Sequence, residues 1–81
     1  MEIPRDISGK ELARLLSEFG YEVTRQVGSH IRLTRISEKE QHLTIPDHSS
    51  LKIGTLNNIL NSIASHLKID KPTLLKKLWN K

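Results

Sequence analysis

The sequence predicts an α+β fold in which two helices cover one face of a three-stranded antiparallel sheet, followed by a short extra C-terminal helix. Apolar residues recur at helical spacing near the start of the chain and again near its end, and between these segments they alternate with polar residues. A chain of 81 residues can bury only one small core. We therefore expect a single domain over residues 1–81, with its core at 8–67 and a helical extension at 68–81.

The first helix is expected to begin after Ser8. Ser8 and Glu11 have the spacing of a capping box, in which a hydroxyl and a carboxylate each satisfy a free backbone amide of the helix start. One apolar stripe follows at helical spacing: Leu12, Leu15, Leu16 and Phe19. Gly20 then stands where a left-handed residue would end a helix, so the helix is expected to end at Phe19.

The next segment predicts three strands with one buried face. Its apolar residues lie at odd positions: Val23, Val27, Ile31, Leu33, Leu43 and Ile45. The polar residues at even positions are expected on the opposite, outer face of the sheet: Thr24, Gln26, Arg32, Thr34, His42 and Thr44.

Parity also predicts the strand register, because odd residues must pair with odd residues if one face is buried. Three-residue loops at 28–30 and 38–40 satisfy this condition, and the first of them places Val27 opposite Ile31. Arg25 breaks the alternation, so its side chain must either extend past the edge of the core or mark a β-bulge.

Two further helices are expected after the sheet. Thr55 is expected to cap the first of them, whose apolar stripe consists of Leu56, Ile59, Leu60, Ile63 and Leu67. The short helix that follows is expected to use Asp70 as its cap, and its apolar edge consists of Leu74, Leu75 and Leu78.

The composition narrows the classes of partner and of active site that this chain can have. Thirteen Lys and Arg residues against nine Asp and Glu give a net charge of +4, which favours a polyanionic partner. The absence of cysteine excludes a disulfide framework, a thiol nucleophile and a thiolate metal site. The first ten residues are mostly polar and no long apolar run follows, so we expect a cytoplasmic protein that does not interact with membranes.

His30 is the candidate catalytic residue, because it directly follows Gly28 and Ser29 at the expected hairpin. If Ser37 lies opposite Gln41, the same register places His48 opposite His30, near the start of the second long helix. Histidine takes and gives protons near neutral pH, so two of them could act as a base and an acid.

RNA is a substrate that suits such a pair, because its 2′-hydroxyl is an internal nucleophile and its cleavage needs no metal ion. Cations and backbone amides would then stabilise the charge on the phosphate. The candidates for this RNA-binding role are Arg25, Arg32 and the amides of Gly28, Ser29 and Thr55.

Plainer interpretations stand beside this one. A histidine in a hairpin loop, such as His30, is most often a solvated polar residue. His42 is interpreted as a residue of the strand surface, and His66 as a residue near a helix C-terminus, where a cation suits the helix dipole. A zinc site formed by His30, His42 and His48 has no recognised ligand spacing to support it, so we expect no metal and no cofactor.

Several short motifs, taken in order, resemble the HicA-type toxins, which are small messenger-RNA interferases of toxin–antitoxin pairs. The motifs are RQVGSH at 25–30, I-P-x-H at 45–48 and G-T-L-x-x-I-L at 54–60. The resemblance implies a fold like that of double-stranded-RNA-binding domains and a metal-independent endoribonuclease that acts on mRNA. It places the catalytic role on His30, and it implies a HicB-like antitoxin that blocks the active site of a toxin that is monomeric when free.

The chain departs from the family pattern in its length and in its basic residues. The chain continues through residues 68–81, past the point where many members end, and Val27 and Ser49 stand where further basic residues are often found. A noncatalytic RNA-binding module and a protein-interaction domain are the alternatives. RNA cleavage in the presence of a chelator would distinguish the toxin from both.

Overall fold

The computed structural model describes residues 3–4, 6–36 and 39–79. It has the predicted α+β architecture, in which the strands form one antiparallel sheet in the order β1-β2-β3. The elements are α1 (Gly9–Ser17), β1 (Tyr21–Val27), β2 (His30–Arg35), β3 (Gln41–Pro46), α2 (Ile53–Leu67) and α3 (Lys71–Trp79).

The start of α1 follows the capping-box prediction, and its end comes two residues earlier than expected. The hydroxyl of Ser8 accepts a hydrogen bond from the amide of Glu11 at 3.0 Å. After Ser17 the chain tightens, because the amides of Phe19 and Gly20 each donate to the carbonyl three residues before. Gly20 adopts a φ of +89°, the left-handed conformation that was expected to end the helix.

The first hairpin has a two-residue turn, and the predicted pairing of Val27 with Ile31 is wrong. Val27 lies opposite His30, and the turn consists of Gly28 and Ser29 alone. Gly28 has a φ of +56°, which a tight hairpin turn requires. A β-bulge between Val23 and Arg25 shifts the register by one residue, so the parity rule fails across it.

The bulge changes which residues of β1 face the helices. Val27 was expected in the core, but it lies beyond the bulge on the outer face, and 56% of its surface is exposed. Val23 stays on the helix side, but it lies on an edge strand and 55% of its surface is exposed. Tyr21 is the only buried residue of β1. Gln26 was expected on the outer face, but it pairs with the buried residue Ile31 and therefore lies on the helix side of the sheet.

The second hairpin has a longer loop than predicted. Arg35, and not Ser37, lies opposite Gln41, so the loop spans residues 36–40. Residues 37 and 38 of the predicted hairpin lie outside the described residues. Parity allows loops of three or five residues equally. A contact of Gln41 fits the longer loop, because its side-chain oxygen accepts a hydrogen bond from the hydroxyl of Tyr21, and Tyr21 is the β1 partner of Arg35.

The start of α2 also differs from the prediction. The helix begins at Ile53, and Lys52 at the N-cap position makes no side-chain capping bond. Thr55 therefore lies inside the first turn and does not cap the helix. The predicted cap of α3 is confirmed, because the carboxylate of Asp70 accepts a hydrogen bond from the amide of Thr73 at 2.8 Å.

Helices α1 and α2 pack against the sheet, α3 packs against α2, and all three share one hydrophobic cluster with the sheet. The predicted stripes contribute most of its members, and α3 contributes Leu74, Leu75 and Leu78. The other face of the sheet is left without helices, which leaves room there for a binding surface. Among the described residues, no helix has the length and apolar character to cross a membrane.

Candidate functional site

The outer face of the sheet carries two arginines side by side. Because the bulge shifts the register, Arg25 pairs directly with Arg32, and cross-strand partners project to the same face. Both side chains are exposed, and among the described residues no carboxylate lies within ion-pair distance of either. Like charges that face each other in a sheet are destabilising, so this pair suits a polyanionic ligand better than it suits the fold.

His30 lies next to this pair on the same face. It is the first residue of β2, two positions before Arg32, and residues two apart on a strand share a face. Its side chain is exposed and its cross-strand neighbour is the exposed Val27. The structure thus brings three of the predicted site residues, His30, Arg25 and Arg32, onto one surface.

Asp47 holds the end of this hairpin in place, a role that no sequence pattern predicted. Its amide donates to the carbonyl of Ser29 at 2.7 Å, and its carboxylate accepts from Nε2 of Gln26 at 2.9 Å. The Nζ atom of Lys10 on α1 lies 3.9 Å from the same carboxylate oxygen. The turn before His30 is therefore connected to both β1 and α1 through one half-buried residue.

His48 does not lie opposite His30, as the predicted register required. Pro46 occupies that position. The carbonyl of His48 accepts a hydrogen bond from the amide of Gly9 at 3.0 Å, so His48 lies beside the start of α1. A Cβ atom at Gly9 would overlap the carbonyl oxygen of Pro46, which explains why glycine begins this helix. His48 is exposed, and it follows the residue that anchors the turn.

Thr55 is separated from the arginine pair. It lies in the first turn of α2, in the layer of helices, whereas Arg25 and Arg32 project from the opposite face of the sheet. Its amide belongs to the helix start, where backbone N–H groups favour anions.

His42 has a structural role on the outer face. Its Nδ1 lies 2.9 Å from the hydroxyl of Thr34, which lies 2.9 Å from the hydroxyl of Thr24. Its Nε2 lies 2.8 Å from the carboxylate of Glu40. Both ring nitrogens are thus occupied, in agreement with the interpretation of His42 as a residue of the sheet surface. Within the described ranges, no three His, Asp or Glu side chains are grouped so that they could hold a metal ion.

Fold and site together define a small basic α+β domain with a cationic sheet face and an exposed histidine beside it. The family model described as HicA toxin of bacterial toxin–antitoxin matches residues 9–64, which is more than half of the chain. The chain therefore belongs to the HicA toxin family, and it is a toxin of a toxin–antitoxin system, which implies an antitoxin partner. Neither a curated protein nor a solved structure matches it significantly.

Proposed function

We propose that this toxin is a metal-independent endoribonuclease that cleaves mRNA, with His30 as its proton-transfer residue. The observation that carries the proposal is the surface formed by the Arg25–Arg32 pair and the exposed His30. Membership of the HicA toxin family supports the proposal. The arginine pair supports it as well, because two facing cations would have little use in a protein without an anionic ligand.

The reaction follows from the chemistry of RNA. The 2′-oxygen of a ribose attacks the adjacent phosphorus, the bond from phosphorus to the 5′-oxygen breaks, and the products are a 2′,3′-cyclic phosphate and a 5′-hydroxyl. His30 accepts the proton of the 2′-hydroxyl, and a second group donates a proton to the leaving 5′-oxygen. Arg25 and Arg32 bind the phosphate oxygens, and their charge stabilises the transition state.

We assign the second proton transfer to His48. It is exposed, and it follows Asp47, whose amide bonds to the residue just before His30. The amides of Gly28 and Ser29 are further phosphate ligands in this proposal. Thr55 would contact RNA only if the RNA strand passes around the edge of the domain and reaches the start of α2.

A HicB-like antitoxin would inhibit the toxin by covering the same surface. The supporting observation is the charge of the surface, since two exposed arginines attract an acidic protein as well as RNA. Inhibition by competition then requires no change in the toxin's structure.

The test is cleavage of single-stranded RNA by the purified chain in EDTA. Wild-type protein and His66→Ala are expected to cleave, and His30→Ala is expected to lose at least about a hundredfold in rate, the usual contribution of one acid–base group. His66 is the matched control because it lies on α2 and outside the proposed site. RNA binding without cleavage by the wild type would favour the noncatalytic module.

A further inference from the structure

Strand β1 has a free edge. It is the first strand in the order β1-β2-β3, and no backbone hydrogen bond from elsewhere in the described chain reaches its other side. The edge is seven residues long, Tyr21–Val27. A free edge of this length can accept a further strand from another chain.

Two exposed valines lie on opposite faces of this edge strand. Val23 pairs with the buried Leu33, so it lies on the helix side, where it lines a cleft of about 490 Å³ with Ala13 and other residues of α1 and the sheet. Val27 pairs with His30, so it lies on the outer side. The bulge between them is the reason that the two valines face in different directions.

The charges around this edge are mostly positive. Lys10 and Arg14 line the cleft on the helix side, and Arg25 projects from the outer face. Glu22 is the carboxylate of the strand itself. The carboxylate of Asp47 already lies 3.9 Å from Lys10, so an occupant of the edge meets three cations and two carboxylates, a positive excess that favours an acidic segment.

We propose that the free edge of β1 pairs with an extended acidic segment of the antitoxin, which buries Val23 on one face and Val27 on the other. Side chains of a strand alternate between faces, so an added strand reaches both valines, whereas a helix in the cleft would cover only Val23. A second copy of this chain would bring the same cations to the edge and repel them. The inference rests on the part of the proposed function that assigns an antitoxin to this chain.

The test measures binding of the protein encoded by the reading frame next to the toxin gene, by calorimetry, in a His30→Ala background. Val23→Glu and Val27→Glu are each expected to weaken binding at least tenfold. Val23→Lys should weaken it less, because lysine attracts an acidic strand. Ile53→Glu is the matched control, since Ile53 is as exposed as Val23 but lies on α2, and its affinity should be unchanged.

Hydrogen exchange supplies a second measurement that does not depend on variants. In the complex, amides of residues 21–27 should exchange more slowly than in the free chain. The inference would be overturned if the wild type fails to bind, or if both glutamate variants bind with unchanged affinity. It would also be overturned if Val23→Lys and Val23→Glu lose equally, or if the free chain self-associates through β1. RNA cleavage by Val23→Glu with His30 intact tests the proposed function separately, because Val23 lies away from the proposed catalytic surface.

Discussion

At the residue scale, Asp47 connects the turn at Gly28 and Ser29 to the rest of the domain. It reaches Ser29 through its amide, and it reaches Gln26 and Lys10 through its carboxylate. The bond to Gln26 is the stronger of the two carboxylate contacts, because the ammonium of Lys10 is 3.9 Å away and largely exposed.

We predict that Asp47→Ala lowers the free energy of unfolding by about 1 kcal/mol, the usual value of one side-chain hydrogen bond. Asp47→Asn keeps an oxygen acceptor for Gln26 and should lose less. Urea denaturation of the three proteins measures both effects. A loss as large in the asparagine variant as in the alanine variant would argue against the bond to Gln26.

The role of His48 is tested by the pH dependence of cleavage. If His30 and His48 act as base and acid, the rate profile is bell-shaped, and His48→Ala flattens one limb of it. If His48 serves only through its carbonyl bond to Gly9, the variant keeps both limbs, since alanine has the same carbonyl. An unchanged profile in a folded variant would remove His48 from the mechanism.

At the element scale, the bulge in β1 determines the candidate site. The types of the elements could be predicted because the periods of 3.6 and 2 are visible in the apolar residues. The registers could not, because parity does not distinguish loops of three and five residues, and a bulge reverses parity. Arg25 was the one visible sign of the bulge. The role of Asp47 depends on the register, so it too was beyond prediction.

The cap of α3 gives a pH-dependent contribution to stability. Hydrogen bonds from Thr73 lower the pKa of Asp70 below its ordinary value of 3.8. A carboxyl group with a lowered pKa in the folded state stabilises the fold above its unfolded pKa and loses this effect as the pH falls through the folded value.

We therefore predict that Asp70→Asn is less stable than the wild type near neutral pH, and that this difference shrinks below about pH 4, the ordinary range of the aspartate pKa. Thermal unfolding between pH 2 and 7 measures it. A difference that stays constant over this range would contradict the assignment of Asp70 as a charged cap.

At the scale of the whole molecule, we predict from the net charge of +4 that the proposed RNA binding weakens as the salt concentration rises. For single strands, the slope of log affinity against log salt is about 0.7 for each phosphate contacted. In the His30→Ala background, Arg25→Ala and Arg32→Ala should each reduce the magnitude of the slope, and Lys77→Ala on α3 should not. The reverse result would move the RNA path to the C-terminal helix.

The most direct test of the proposed catalytic surface is the chemical identity of the cleaved ends. If the 2′-hydroxyl is the nucleophile and His30 its base, the wild type in EDTA leaves a 2′,3′-cyclic phosphate and a 5′-hydroxyl, and His30→Ala leaves almost none. Mass spectrometry of a short RNA substrate distinguishes these ends from the alternatives. A 3′-hydroxyl with a 5′-phosphate, or equal cleavage by His30→Ala, would contradict the proposed mechanism.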